Sequence, residues 1–145
     1  MKKAVMILIG IIYVASIILI SLFGMKAIIH KENIPVTRIE CTNITEGKVT
    51  VKTLENGKKQ IWLKYDKTVG ATNTLELKWK VYPEEATNKT ITFIYDRNNP
   101  NITFLKDSDG NETGYVSFNG KVNVDVSIKS TDGSNISTQI EIKLY

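Results

Sequence analysis

The sequence predicts an all-β fold, an antiparallel β-sandwich of short strands, behind an N-terminal transmembrane α-helix. Two observations carry this prediction. Residues 4–25 form a run of 22 residues without a charge, and as a helix this run would extend about 33 Å, enough for the roughly 30 Å hydrocarbon core of a bilayer. The rest of the chain shows no long helical period, and it alternates apolar with polar residues in several short segments.

The apolar run is interpreted as a retained signal-anchor. A helix that is apolar on every side is typical of a membrane span or of a very deep core, and 145 residues are too few to build such a core. A cleaved signal peptide is the alternative. Its apolar region usually has about 7–15 residues and ends in an A-x-A-like site, whereas this run is longer and Met25-Lys26-Ala27 offers no such site.

The chain therefore divides into two predicted parts. Residues 1–30 are a short tail and the anchor, and residues 31–145 are one domain on the extracytoplasmic side of the cell membrane. Two lysines precede the apolar run and two follow it closely, so the positive-inside bias is slight, and a short N-terminal tail is the simpler arrangement. About ten residues separate the run from the first predicted strand, which would keep the domain close to the bilayer.

The charge excludes nucleic acid as a partner. Three of the 19 basic residues flank the anchor, which leaves 16 basic against 15 acidic residues in the domain. A nucleic-acid-binding domain would show a clustered basic surface. Cys41 is the single cysteine, so neither an intramolecular disulfide nor a cysteine-based zinc site can form. We expect Cys41 to be a small buried apolar residue.

Nine segments are predicted to be strands. The strongest alternate strictly with period two, which is typical of half-buried strands in antiparallel sheets; they are residues 75–81, 122–128 and 140–144. The weaker candidates are residues 36–43, 48–54, 58–65, 90–95, 101–105 and 114–118. Asn-Gly and Asp-Gly pairs stand between several of them, as hairpin turns require. This spacing favours a β-sandwich.

The alternation also predicts the core. The expected buried residues are Leu75, Leu77, Trp79, Val81, Ile91, Phe93, Val122, Val124, Val126, Ile128, Ile140 and Ile142. Pro83 cannot donate to a strand ladder, so we expect the strand to end there. A short helix would then begin with Glu84 and Glu85 in its first turn, and Ala86 would tuck into the edge of the sandwich.

A family resemblance rests on three short motifs. Residues 69–72 read Val-Gly-Ala-Thr, residues 83–87 form a Pro-x-x-Ala-Thr corner, and a closing strand follows Asp132-Gly133. Together they resemble the bacterial immunoglobulin-like domain, group 2, of the intimin and invasin type, over about residues 65–145. Phe93 stands where the family usually has tryptophan. The hairpin at residues 48–65 is longer than the family requires, either as an inserted edge hairpin or as a mark of a divergent relative.

No catalytic set is evident. His30 is the single histidine and lies at the membrane boundary, so no serine or cysteine nucleophile of the domain can be paired with one. Adjacent acids such as Glu84 and Glu85 are expected to be solvated in turns, without the cleft that acid–base catalysis needs. The resemblance implies a spacer or contact module of cell-surface proteins and nothing catalytic. We therefore expect no enzymatic activity and no cofactor.

Asp107, Asp109 and Asn111 form the one candidate metal site, because residues 107–112 look like a calcium loop. An EF-hand requires acids at positions 1, 3 and 5, glycine at 6 and glutamate at 12, and neither possible register satisfies this. A surface hairpin turn is the favoured interpretation, since Asp-Gly is a strong turn signal. A looser calcium site of a β-sandwich is the alternative.

Trp62 is the candidate contact residue. In residues 61–65, Ile61 and Leu63 share one face, so Trp62 should point to the other face with Gln60 and Lys64. Aromatic residues are enriched at interfaces. The alternatives are a reversed register, or that Trp62 covers the Lys52 side of its own hairpin.

The sequence thus favours a single-pass membrane protein with a non-catalytic binding or structural role at the cell surface. Its partner is expected to be a protein or a cell-wall polysaccharide, in addition to the membrane. The alternative is an accessory subunit whose anchor and β-domain dock onto a larger membrane or cell-envelope complex. The short link between anchor and domain keeps this alternative open.

Overall fold

The computed structural model describes residues 2–24, 32–68 and 73–145. The chain forms two compact units, Met1–Glu32 and Asn33–Tyr145. The predicted boundary between residues 30 and 31 and the Val-Gly-Ala-Thr motif at residues 69–72 lie outside the described residues. The boundary therefore stays a prediction.

The first unit is helix α1, Lys2–Gly24. The predicted helix is confirmed over residues 4–24, and Met25 lies outside the described residues. Within it, Lys3–Ser21 has a mean hydropathy of 2.8 and is long and apolar enough to cross a membrane, a property shared by signal sequences. The Ser16 hydroxyl donates to the Ile12 carbonyl at 2.8 Å, so a polar side chain within the apolar helix has a partner.

Within its described residues, the second unit contains ten strands. They are β1 (Arg38–Cys41), β2 (Val49–Thr53), β3 (Lys59–Leu63), β4 (Thr74–Glu76), β5 (Trp79–Tyr82), β6 (Ile91–Ile94), β7 (Ile102–Lys106), β8 (Glu112–Phe118), β9 (Asn123–Ser130) and β10 (Ser137–Leu144). Five form one sheet in the order β2-β3-β10-β9-β6. Three form a second sheet, β4-β8-β7, and β1 pairs with β5. All nine predicted segments contain strand, so the β-rich fold is confirmed.

The predicted strand at residues 75–81 is wrong in one respect, because it is broken in two. The buried amide of Asn43 enters the break: its Nδ2 donates to the Glu76 carbonyl at 2.7 Å, and its Oδ1 accepts the Lys78 N–H at 2.8 Å. These bonds satisfy backbone groups that a continuous ladder would otherwise pair. The break lets β4 pair with β8 while β5 pairs with β1.

The prediction of purely antiparallel sheets is also wrong, because β3 and β10 are parallel. Their register places Ile61 beside Ile142, and both side chains are fully buried. Alternation determines which side chains are buried but carries no information on strand direction. Strands joined by a tight hairpin must be antiparallel, whereas most of the domain separates β3 from β10 and leaves either direction open.

The three sheets share one core. Nine of the twelve predicted core residues are buried, and Trp79, Ile91 and Val122 are partly buried against them. The Phe93 ring of β6 lies 4.8 Å from the Phe104 ring of β7 and 5.4 Å from the Trp79 ring of β5, so one aromatic cluster joins all three sheets. The predicted burial of Cys41 is confirmed. The core also includes residues outside the predicted core, namely Val36, Ile39, Ile61, Leu63, Ile102, Phe104, Val116, Phe118 and Leu144. Burial raises the pKa of the Cys41 thiol.

The segment after Pro83 forms a turn, so the predicted short helix is wrong. The Ala86 N–H donates to the Pro83 carbonyl at 3.0 Å, but the Thr87 N–H donates to the Ile34 carbonyl. Ile34 returns a bond from its own N–H to the Thr87 hydroxyl at 2.9 Å. This pairing with the start of the domain ends the turn before a helix forms. The predicted burial of Ala86 is confirmed.

The chain enters the domain beside the turn between β9 and β10. The Val36 N–H donates to Asp132 Oδ2 at 2.6 Å, and the Ser134 hydroxyl and N–H donate to Asp132 Oδ1 at 2.6 and 3.0 Å. Led by the Ser134 hydroxyl, these donors hold the pKa of Asp132 well below its usual range. Asp132 therefore fastens the entry point of the chain to one end of the five-stranded sheet.

Candidate functional site

Trp62 lies on β3, between Thr50 of β2 and Lys143 of β10. Its neighbours Ile61 and Leu63 are buried in the core, whereas Trp62 is only half-buried on the opposite face of the sheet. The predicted outward orientation of Trp62 is confirmed. From Ser137, next to the turn that holds the chain entry, β10 runs roughly 20 Å to Lys143, so Trp62 lies toward the end of the domain remote from that entry.

A chain of hydrogen bonds fixes the indole. Trp62 Nε1 donates to Gln60 Oε1 at 2.7 Å, and Gln60 Nε2 donates to Glu141 Oε2 at 2.6 Å. Lys143 Nζ lies 3.1 Å from the other oxygen of Glu141. Gln60 is buried, so its amide uses both of its ends inside the network and cannot turn without breaking a bond. The indole is therefore held in one orientation.

Cations and a second aromatic ring surround the indole. Lys52 Nζ lies 4.8 Å and Lys143 Nζ 5.4 Å from its centroid, within the range of cation–π attraction. The Tyr145 ring stands edge-on at 5.7 Å between centroids. Lys52 thus reaches the ring, as the hairpin alternative expected. We name this surface the Trp62 platform; its residues are Lys52, Gln60, Trp62, Glu141, Lys143 and Tyr145.

The platform carries a small positive charge. Two lysines face one carboxylate, Glu141, whose pKa is lowered first by the Gln60 amide and then by Lys143. Beside it Lys58 pairs with Asp125 at 2.6 Å. Within the described residues, every buried side-chain nitrogen and oxygen has a hydrogen-bond partner. The platform is thus suited to contact a ligand through a rigid aromatic edge and lysine side chains.

The candidate metal residues lie in the turn between β7 and β8. Asp107 Oδ1 accepts the N–H groups of Asn111 and Asp109 at 2.8 and 3.0 Å. These bonds, led by that of Asn111, lower the pKa of Asp107. The Asp107 carboxylate thus closes the turn upon itself. Among the described residues, no group of three or more His, Cys, Asp or Glu side chains is placed to hold a metal ion.

The structure does not bring the two predicted sites together. Trp62 belongs to the five-stranded sheet, whereas the turn at Asp107 belongs to the three-stranded sheet. Sequence reasoning named Trp62 but not the roles of Glu141, Lys143 and Tyr145, because it did not predict that β3 lies beside β10. The alternation of Glu141 and Lys143 on the outer face was visible in the sequence, but nothing local linked that face to Trp62.

Comparison with known proteins adds no relative: no protein-family model matches the chain, and no curated protein matches it. The resemblance to immunoglobulin-like domains therefore rests on its three short sequence motifs. The features that bear on function are the apolar helix, the β-rich unit and the Trp62 platform.

Proposed function

We propose that the chain is a single-pass membrane protein whose β-domain lies on the extracytoplasmic side and acts as a non-catalytic binding or structural module at the cell surface. The apolar helix α1, able by length and composition to cross a membrane, supports the anchor. The separate compact unit with its own core supports an independent domain. In this proposal α1 sets the place of action and the Trp62 platform makes the contact.

The strand order supports an immunoglobulin-like sandwich within this proposal. In constant-type domains, strands A, B, E and D form one sheet and strands C, F and G the other. If β4 and β5 are the two halves of a broken strand B, then β1, β4/β5, β8 and β7 follow the order A-B-E-D. The order β10-β9-β6 then corresponds to G-F-C, and the hairpin β2–β3 is an added edge. The aromatic cluster at Phe93 would lie between the two sheets.

The Trp62 platform is the observation that carries the binding role. Tryptophan and tyrosine are enriched among the residues that dominate binding energy at protein interfaces, and here the indole is held rigidly by the buried Gln60. The platform also lies toward the end of the domain remote from the chain entry. Its partner is a cell-wall polysaccharide or a protein, and the lysines favour one that carries negative charge.

Co-sedimentation of the full chain, held in nanodiscs, with purified cell-wall polysaccharide tests this role. Trp62→Ala should weaken binding by about 30-fold, since a central aromatic contact is worth about 2 kcal/mol or more. Tyr115→Ala is the matched control, because Tyr115 is an exposed aromatic residue on the three-stranded sheet. Equal binding by both variants and the unaltered chain would exclude the platform as the contact.

The second candidate function is that of an accessory subunit docked onto a larger membrane or cell-envelope complex. Eight residues, 25–32, separate α1 from the second unit, and even when extended they span no more than about 28 Å. Such a tether limits the reach of the domain and favours a partner near the membrane. Recovery of one partner in fixed stoichiometry from gently solubilised membranes would favour this function over wall binding.

A further inference from the structure

The strand β6 forms one outer edge of the five-stranded sheet, and half of its backbone groups point away from the sheet. The Thr131 N–H donates to the Thr90 carbonyl at 3.1 Å, which fixes the pairing of this edge with β9. Backbone groups alternate in direction along an antiparallel strand. Thr92 therefore directs its N–H and C=O toward β9, whereas Ile91 and Phe93 direct theirs outward.

Little of the described chain covers these outward groups. Arg97 Nη2 approaches the Phe93 carbonyl at 3.5 Å, at the limit of a hydrogen bond. No described residue accepts the N–H of Ile91 or of Phe93. Ile94, on the outer face of the same strand, is 51% exposed. An edge of this kind, without a lysine, a proline or a covering loop, is a template for a further strand.

A cleft of about 260 Å³ runs beside the edge and leaves room for that strand. Ile91, Thr92 and Phe93 line one side, and Lys106 and the turn residues 110–112 line the other. The cleft therefore lies between β6 and the hairpin of β7 and β8. Its position along an unpaired strand edge suits an extended main chain.

The rim of the cleft favours an acidic segment. Arg97 pairs with Glu112 at 2.8 Å, and the Tyr95 hydroxyl donates to Glu112 at 3.2 Å, so this carboxylate is already occupied. Lys106 is exposed and has no ion-pair partner among the described residues. Of the charged residues that line the cleft, Lys106 is thus the one without an ion-pair partner in the described chain.

We propose that β6 is a strand-addition site that binds an extended segment of another polypeptide carrying an acidic side chain near Lys106. The Ile91 N–H and C=O and the Phe93 N–H supply the main-chain hydrogen bonds, Ile94 contacts an alternate side chain, and Lys106 selects the charge. This site is separate from the Trp62 platform and stands whether or not the platform binds a wall polymer.

Amide hydrogen exchange at Ile91 and Phe93, measured by NMR on the full chain in nanodiscs, tests the proposal. The probes are three five-residue peptides of alternating valine and threonine, blocked at both ends, with glutamate, glutamine or lysine at the centre. At ten times its Kd, a bound peptide should slow exchange at these amides about elevenfold. We expect the glutamate peptide to bind most tightly and the lysine peptide least.

Two variants and one control sharpen the test. Ile91→Pro removes an outward N–H at the first residue of an edge strand, where proline is tolerated. It should weaken the binding of the glutamate peptide about five- to tenfold. Ile91→Val, its matched control, should bind as the unaltered chain does. Lys106→Glu leaves the β6 edge unchanged and should reverse the preference toward the lysine peptide.

Three results would overturn the proposal: exchange at Ile91 and Phe93 unchanged by all three peptides, equal affinity for the glutamate and lysine peptides, or protection that rises with the concentration of the chain alone. The last result would identify a second copy of this chain as the occupant. The Lys106→Glu result keeps the proposal testable if Ile91→Pro fails to fold.

Discussion

The two outer edges of the five-stranded sheet, β2 and β6, differ in whether the preceding segment covers them. At β2 the preceding residues cover the edge. The Val49 N–H donates to the Glu46 carbonyl at 2.9 Å, and the Glu46 N–H donates back to the Val49 carbonyl at 3.0 Å. The Val51 N–H donates to the Thr45 hydroxyl at 2.9 Å. At β6 the N–H groups of Ile91 and Phe93 have no acceptor among the described residues. The same sheet thus ends once in an edge that is closed over Val49 and Val51 and once in an open one.

The segments that precede the two strands explain the difference. Before β2 the chain turns back at Gly47, whose φ of +56° favours glycine, and this brings Thr45 and Glu46 alongside the strand. Before β6 the Asn88 side chain accepts the Thr90 N–H at 2.9 Å and also bonds the Thr90 hydroxyl. The hydrogen bonds of the Asn88 side chain thus stay within the turn, and this side chain does not cover β6. β6 is thus paired on one side only, with β9, so the packing of its inward side chains should contribute strongly to holding it in place.

The first prediction concerns what holds β6, and it has the largest effect. Phe93 is 1% exposed and packs against Trp79 and Phe104. Phe93→Ala should lower the free energy of unfolding by about 3–5 kcal/mol, as large-to-small changes of a buried aromatic residue do. Urea denaturation of the full chain in detergent, monitored through tryptophan fluorescence, measures this loss.

The control for this prediction is Ile94→Ala on the same strand. Because the Ile94 side chain is half-exposed on the outer face, its removal should cost about 0.5 kcal/mol or less. A similar loss in both variants would mean that backbone pairing with β9, and not the aromatic cluster, keeps the open edge in place.

The second prediction concerns a substitution that uncovers part of the β2 edge. Thr45→Val keeps the shape of the side chain but removes the acceptor of the Val51 N–H, so the free energy of unfolding should fall by about 0.5–1.5 kcal/mol. Amide exchange at Val51 should then become as fast as at Ile91. Thr42→Val is the control, because the Thr42 side chain is exposed and its backbone N–H bonds the Lys78 carbonyl. If exchange at Val51 is already fast in the unaltered chain, the two edges do not differ.

Much of the strand pattern was visible in the sequence, whereas the contacts between distant segments were not. Alternation correctly predicted β9 and β10, since each has one buried face, and it predicted that Trp62 faces outward. It did not predict the broken strand at residues 77–78, because the amide that fills the break comes from Asn43, more than 30 residues away. It did not predict the platform, because Gln60 and Glu141 are 81 positions apart.

Whether an edge is covered likewise cannot be predicted from local alternation. Whether an edge strand is covered is decided by the path of the loop before it, and Thr45 and Asn88 are both ordinary turn residues in the sequence. Thr45 bonds a strand residue six positions later, whereas Asn88 bonds a residue two positions later. Both residue types occur in turns, and the path of the loop distinguishes the closed edge from the open one.

The last and smallest prediction is a pH dependence beside the closed edge. The Thr68 hydroxyl and N–H donate to Asp66 at 2.6 and 3.0 Å, and Lys48 lies 3.2 Å away. These bonds, led by the Thr68 hydroxyl, lower the pKa of Asp66 to about 2. Because the pKa is lower in the folded chain, the stabilisation is complete above the ordinary pKa near 3.8 and is lost as the pH falls from there through about 2.

An NMR titration of the Asp66 carboxyl measures this directly and separates the two causes. Thr68→Ala removes the leading donor and should raise the pKa of Asp66 more than Lys48→Met, which removes only the ammonium. Stability of the Asp66→Asn variant should approach that of the unaltered chain as the pH nears 2. A larger effect of Lys48→Met than of Thr68→Ala would show that the ion pair across the β2–β3 hairpin, and not the local turn, governs Asp66. In that case acid would act on the closed edge through Lys48, at the first residue before β2, and Val51 exchange should quicken at low pH beyond the change in intrinsic rate.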